Sequence, residues 1–531
     1  MAANVSAFAV AGHFATRNPA HETAARDILR ETTGLPVTCS HELSYALGGP
    51  RRALTAVLNA RLINLLERLV TATEVIMKRQ GLTCPLMVVK GDGSLLESSF
   101  ARTRPVETVL SGPAASLSGA AFLAGTDSAL VADIGGTTTD IAFLQNGAPR
   151  LKSEGAYVGG WQTMVEAAEI RTCGLGGDSE VTPVSRGRIS GLRLGPRRAV
   201  PLALLACTHP EIKQQMQAQL DLPVPSPTDG RFVFPIMPDG VPGWLTRSEA
   251  RLAERAINAG PTAIANLAAT QLALGAADRL ISRGLLGLAA FTPTDATHVT
   301  DEFNAFDDDA ARIGAELMAR QRNGLGESTA VNARDLARMT LVELHKKSAI
   351  ALLDAALAHQ GAGESIVSQN QLLMNSFINK SDYQPLVNIF MQLGTKLVAL
   401  GASATTHYPH IADLLDVALT VPAHAEVAGA VGAAVGSVRQ RVMITVTQPA
   451  NGKFRVHLPQ GPVDFGIMEE ALENARMAAK QLATTRAKSA GAGATAIDIK
   501  MTENIKLVPL DSNKDLFIEA TIQAAANGTP A

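Results

Sequence analysis

Residues Asp133–Asp140 read DIGGTTTD, two acids bracketing a glycine pair and three consecutive threonines, directly after the apolar run Ala129–Ala132. Glycines let a backbone turn sharply and let a ligand approach its N–H groups. Threonine hydroxyls add donors, and aspartates hold a metal ion or its water. The composition points to a phosphate with its magnesium. Downstream, Thr139–Leu144 reads as a second strand running into Asn146–Gly147, a hairpin signal. The loop therefore sits in a β-hairpin system, whereas a dinucleotide fingerprint or a Walker-type loop opens a helix.

The 531 residues are too many for one hydrophobic core, so about two to four domains are expected. With 47 basic and 49 acidic residues spread without long single-sign blocks, there is no footprint for nucleic acid or an anionic membrane surface. No apolar stretch approaches the roughly 20 residues of a spanning helix, and the start lacks a signal-peptide pattern. The four cysteines form no CxxC pair, which argues against a zinc ribbon or a disulfide framework and fits a reducing cytoplasm.

The first segment alternates strand-like and helix-like pieces: Ser6–Phe14, Pro19–Thr32, Pro36–Cys39, the amphipathic Arg51–Arg79, Pro85–Lys90 and Ser111–Leu123. Strands separated by helices imply a largely parallel sheet. Val181 to about Gly243 is Pro-rich and reads as a loop-rich insertion, and helical patterns dominate Thr246 to about Gln360. The tail shows strands at Val442–Val446, Lys453–His457 and Asp498–Met501 around a helix at Met468–Ala490, a small α/β appendage.

Seven strings, in order, resemble the hydantoinase/oxoprolinase family: RNPAHE at 17–22, SHELS at 40–44, RRALTAVLNARL at 51–62, KGDGS at 90–94, RPVETVLSGPAAS at 104–116, DIGGTTTD, and GLGGDS at 174–179. The resemblance implies an α/β fold with an actin-like (ribonuclease-H-like) ATPase core, a mainly helical insertion and a small C-terminal α/β segment. It divides the chain into a remnant of the first ATPase lobe (1–125), the start of the second lobe with the phosphate hairpin (126–190), an insertion forming the substrate region (191–345), the rest of the second lobe (346–440) and the C-terminal segment (441–531).

On this resemblance ATP and magnesium are the expected cofactors. Gly135, Gly136, Thr137 and Thr138 wrap the phosphates, Asp133 is the metal ligand, and Asp140 joins it at the reaction centre. GLGGDS lies at the cleft with Gly176, Gly177, Asp178 and Ser179; a surface loop is the alternative. LVALGASATTHYP at 397–409 is similar to the adenosine-contacting loop, giving Gly401 and Ala402, and AEVAGAVGAAVG to the helix after it. Close helix packing is the alternative for both.

FTPTDATHV resembles a family segment bearing an acid, which makes Asp295 and His298 candidates for the active-site wall; helix capping by Thr294 or Asp295 is the other reading. KGDGS puts Lys90 and Asp92 at a strand end, as a site or a structural turn. For His407 and His410, capping or packing is favoured over metal ligation. The basic run RLGPRRA at 193–199 is an anion-binding segment or a solvated loop.

The family couples ATP cleavage to opening a cyclic amide such as a hydantoin or 5-oxoproline. The alternatives are a subunit of an ATP-dependent ketone carboxylase and a non-catalytic nucleotide-binding assembly subunit. The expected partners are a small cyclic amide and a second hydantoinase-type subunit or another copy of the chain.

Two departures stand out. Family members open with an earlier DxGGTxTD loop, whereas Ser6–Phe14 here already looks like the late strand before the RNPAHE helix. This implies an incomplete first lobe, through an internal start, a truncated gene model or a partner chain. After GLGGDS the chain reads RISGLRLGPRRAVPLALLA in place of the family's glycine- and proline-rich string. That marks a divergent branch whose substrate does not carry over.

Overall fold

A computed structural model describes residues 5–152, 154–158, 160–184, 191–375, 389–509 and 515–531. The chain forms two compact units, one of residues 1–128, 142–170 and 427–531, the other of 129–141 and 171–426.

In the first unit the expected early elements appear as strands Phe8–Val10 and Val37–Cys39, paired in parallel, and helices Ala20–Thr33 and Gly49–Arg79. Three of the family strings meet here in a buried polar network. Glu22 of RNPAHE accepts from the Gly12 N–H and the Ser40 hydroxyl, both at 2.5 Å, and from the His41 N–H at 3.0 Å. Burial pushes the Glu22 carboxyl up, but the His41, Ser40 and Gly12 donors outweigh it and hold the group at about 2. Arg52 of RRALT, 1% exposed, donates to Ser40 Oγ at 2.8 Å and to the Gly12 carbonyl at 2.6 Å. Those motifs are structural pins: Glu22, Ser40, His41 and Arg52 bond to one another or to Gly12.

The main sheet of this unit is antiparallel, contrary to the parallel sheet expected, because its strands come from the tail. Its order runs Gly461–Phe465, Lys453–Leu458, Val438–Ala450, Asp515–Pro530, Ala492–Pro509, and Leu95–Glu97 joins Val438–Ala450 in parallel. The segment expected as a separate appendage is thus part of the first unit. Helix Met468–Ser489 covers the sheet with a stripe of fully buried alanines, Ala471, Ala475, Ala479, Ala483 and Ala487. Their spacing of four keeps one narrow face on the sheet.

The AEVAGAVGAAVG string supplies helix Ala428–Val435, which packs on Ser111–Ala124. A Cβ on Gly432 would stand 1.8 Å from the Ala115 carbonyl oxygen, and one on Gly119 2.0 Å from that of Ala428. The glycines set the backbone separation of that pair.

In the second unit the core strand Ala129–Ile134 has the first residues of Thr139–Gln145 on one side and Leu397–Leu400, then Leu419–Thr420, on the other. Among the described residues, much of the region expected to be loop-rich is regular structure. Strand Leu192–Arg198, helices Leu202–Thr208 and Glu211–Leu220 and strand Phe232–Pro235 supply much of the unit's core, including Leu202, Ile212, Met216 and Phe232. Prolines misled the reading because they stand at element starts, as Pro201 and Pro210 do before the two helices. Residues 188–190 of RISGLRLGPRRAVP lie outside the described residues. The helical region is borne out as Arg247–Ala259, Gln271–Ser282, Asp308–Arg320 and Ala333–His359.

Helix Ala333–His359 places His345 against His407, Nε2 to Nδ1 at 3.3 Å, with His410 stacked on His345. This is packing, not ligation. Burial lowers both groups, and neighbouring imidazoles add to it, leaving His345 at about 3 and His407 at about 4. A histidine held neutral in the fold binds its proton in the unfolded chain first. Its contribution is therefore complete above about pH 6.5 and is lost as pH falls toward 4. Urea midpoints measured at pH 7 and pH 5 are expected to drop on acidification, and His345→Met to flatten that drop. An unchanged pH slope in the variant would refute the neutral pair.

Candidate functional site

Strand Ala129–Ile134 is buried except at Asp133, and it lies parallel to Leu397–Leu400 with Asp133 opposite Leu400. Each strand ends on glycine, Gly135–Gly136 in one case and Gly401 in the other. Ligands of open α/β sheets bind beyond such carboxyl ends. Gly401 has φ of 99°, and a Cβ there would stand 2.1 Å from the Ile134 carbonyl oxygen. Only glycine fits.

GLGGDS is strapped to the same turn. The Gly177 N–H donates to the Gly135 carbonyl at 3.2 Å and the Asp178 N–H to that of Gly136 at 2.6 Å. A Cβ on Gly176 would lie 2.4 Å from the Gly135 oxygen, and one on Gly136 2.5 Å from Asp178 Oδ2. Asp178 is paired with Arg198, at 3.0 Å.

Around these turns lies a cavity of about 420 Å3 lined by Asp133, Gly135, Gly136, Gly177, Asp178, Gly401 and Ala402. Seven of the expected residues are thereby brought together. The others have different places. Thr138 closes the turn through its carbonyl, which accepts from the Gly135 N–H at 2.9 Å. Thr137 precedes it, outside the cavity lining. Buried Ser179 accepts from the Gly176 N–H at 3.0 Å, so it shapes the strap. Asp140 stands off the lining and accepts from the Thr172 hydroxyl at 2.5 Å. Burial raises its carboxyl, the Thr172 bond opposes this, and the charge of Asp133 adds to it. The Asp133 and Asp140 carboxylates, beside a cradle too tight for a Cβ, are hard oxygen ligands of the kind magnesium takes alongside a phosphate.

Asp295 is not in the cavity. Fully buried, it accepts from the Leu202 N–H at 3.2 Å, the Ala203 N–H at 2.8 Å and the Thr292 N–H at 2.9 Å, capping two helices at once. Burial nonetheless raises its carboxyl to about 6. The capping reading is the one its geometry shows. His298 is likewise inward, its Nδ1 2.5 Å from Asp308 Oδ1 and its ring packed on Phe303 and Phe306.

The residues of that helix that do line the cavity are Thr294 and Thr297, joined by Phe303 and Phe306. Sequence reasoning missed them. The usable signal was the helical period: 294 and 297 share one face, and 295 and 298 the next. Ser403, Thr406, His407 and Glu426 complete the wall beside Gly401.

Residues 52–212, which include DIGGTTTD and GLGGDS, match the family model described as Hydantoinase/oxoprolinase. The family likeness lies in that segment of the chain. In particular, the chain is similar to the acetophenone carboxylase gamma subunit of Aromatoleum aromaticum, 30% identical over 193 residues, 34% of this chain and 26% of that protein. It is also similar to caprolactamase subunit alpha of Pseudomonas jessenii, 27% identical over 199 residues, 37% of this chain and 28% of that one. These matches therefore span only about a quarter of each relative.

Two solved structures share the fold over 99% of this chain and 65% of their own. They are an acetone carboxylase in nucleotide-free form (TM-score 0.55, 14% identity) and the ATP-dependent caprolactamase from Pseudomonas jessenii (TM-score 0.57, 15% identity). No helix among the described residues is long and apolar enough to cross a membrane.

Because Asp295 caps two helices, Asp295→Ala is expected to cost about 2 kcal/mol of stability, read from chemical denaturation, since each lost cap is worth ~1 kcal/mol. A variant with the wild-type midpoint but altered nucleotide turnover would return Asp295 to the reaction.

Proposed function

We propose that the chain works in an ATP-dependent hydrolase that opens a cyclic amide of hydantoin, 5-oxoproline or lactam type, and that it holds the nucleotide in the second unit. The observation carrying this reading is the cradle itself: three glycine turns with no room for side chains, their backbone beside the Asp133 carboxylate. Turns without Cβ atoms let phosphate oxygens come close to the backbone. Magnesium, held by Asp133 with Asp140 behind it, would neutralise phosphate charge when bound.

A ring amide resists water because its nitrogen lone pair is shared with the carbonyl. Transfer of the terminal phosphoryl group to the carbonyl oxygen forms an O–P bond, breaks the bridging P–O bond and releases ADP. Water then adds to the carbon and the C–N bond opens to leave an acyl phosphate; a second water attacks that carbon, giving the carboxylate, and phosphate departs with the oxygen it was given. The chain's share of this chemistry is positioning: Gly135, Gly136 and Gly401, lacking side chains, leave room for the phosphates against the turns, while Thr294, Thr297, Phe303 and Phe306 form a wall that is half hydroxyl, half aromatic.

The likeness to carboxylase chains favours a second reading, in which the phosphoryl acceptor is the enolate oxygen of a ketone. Both readings need the same cradle. Assembly with a further subunit is part of the proposal, since the two curated relatives are themselves subunits.

Asp133→Asn is expected to weaken magnesium-dependent ATP binding by on the order of tenfold or more. Calorimetry showing equal affinity would remove the cradle from the proposal. ADP release by the chain, with any subunit that co-purifies, should rise with hydantoin, 5-oxoproline or caprolactam. A response to acetone plus bicarbonate and to none of the cyclic amides would replace the first reading by the second.

A further inference from the structure

The first unit holds a separate cavity of about 310 Å3 that nothing above uses. One end is a closed charge network. Lys90 lies 3.3 Å from Asp92 and 3.4 Å from Glu107, and Arg104 is 3.3 Å from Glu107. Asp92 also accepts from the Ser94 N–H at 3.0 Å and from its hydroxyl at 2.6 Å. The KGDGS string is thus accounted for as a satisfied turn, and its charges cancel locally.

The other end does not balance. Along Val438–Ala450 the period of two sends Val438, Val442 and Ile444 into the core and leaves Arg439 and Arg441 on the opposite face. Arg441 is paired with Glu166 at 2.8 Å. Arg439 makes no hydrogen bond or ion pair among the described residues; Asp92, already bonded to Lys90 and Ser94, is the acid that feels its charge. Arg486 also makes none; its guanidinium stacks over the Tyr45 ring at 5.3 Å, and burial lowers it from its ordinary value, with Glu42 opposing. Glu42 itself is bonded to Arg26 at 3.0 Å. Gln440, which also lines the cavity, is 5% exposed on the same face as Val438 and Val442, and its Nε2 has no acceptor among the described residues.

A half-buried guanidinium without an acid is costly unless something anionic completes it. We propose that this cavity binds a small organic carboxylate, gripped by Arg439 and Arg486 with its carbon chain against Tyr45, Val165 and Met443. The planar fork of arginine suits a carboxylate held through two oxygens. A fully charged phosphate fits less well, because Glu42 and Glu166 stand in the same wall and repel a second negative charge. The inference is independent of the nucleotide reading, since every residue it uses lies in the first unit.

The full 531-residue chain should be titrated by calorimetry with pentanoate, with 1-pentanol as the uncharged match and inorganic phosphate as the competing anion. Saturable pentanoate binding is expected, with Arg439→Gln and Arg486→Gln each weakening it roughly tenfold or more, and Arg312→Gln, an exposed arginine elsewhere, leaving it unchanged. A measurement that needs no variant is phenylglyoxal labelling of the wild-type chain, read by mass spectrometry: pentanoate should slow modification of Arg439 and Arg486 but not of Arg312. The proposal fails if pentanoate does not bind or protect, if pentanol does as well, if phosphate alone binds, or if both glutamine variants bind normally.

Discussion

The close approach of carbonyl oxygens to glycine α-carbons is the constraint on which the second unit turns. Gly401 rests on the Ile134 carbonyl, and Gly176 rests on those of Gly135 and Gly136. Three chain segments, far apart in sequence, can converge at the strand ends only because none of them carries a Cβ there. Parallel pairing of Ala129–Ile134 with Leu397–Leu400 sets the distance, and the straps from Gly177 and Asp178 lock it. What results is a concave backbone surface edged by Asp133, the arrangement a phosphate needs.

Much of that surface was legible in the sequence. DIGGTTTD, GLGGDS and the glycine after Leu397–Leu400 announce sharp turns after apolar strands, and seven of the residues they nominate line one cavity. Long amphipathic helices such as Gly49–Arg79 and Met468–Ser489 were equally readable, because a 3.6-residue period sustained over many turns has few other meanings.

What escaped the reading was tertiary. The partner of Val438–Ala450 lies at Leu95 and in the last strand, separations that no local period records. Asp295 carried the signature of an acid near a site, yet its oxygens are spent on backbone N–H groups, including those of a helix that starts at Leu202. Its neighbours Thr294 and Thr297 face the cavity instead. The aromatic wall of Phe303 and Phe306 had no signal beyond two phenylalanines in a chain that is only 4% aromatic. Likewise, nothing in the sequence signalled that Glu22 of RNPAHE, Ser40 and His41 of SHELS and Arg52 of RRALT bond to one another.

The alanine stripe of Met468–Ser489 has a further consequence. Residues 471, 475, 479, 483 and 487 present nearly the same surface, so a helix slid by one turn would meet the sheet with almost identical small-residue packing. Such an interface is degenerate along its axis. The position must be fixed by groups off the stripe: Leu472, buried beside it, and Arg476, which reaches Glu503 on the neighbouring strand as well as Glu469 and Glu473 on its own helix. One leucine and one arginine thus act as the pins of a vernier, selecting a single register among several that the alanines alone would accept.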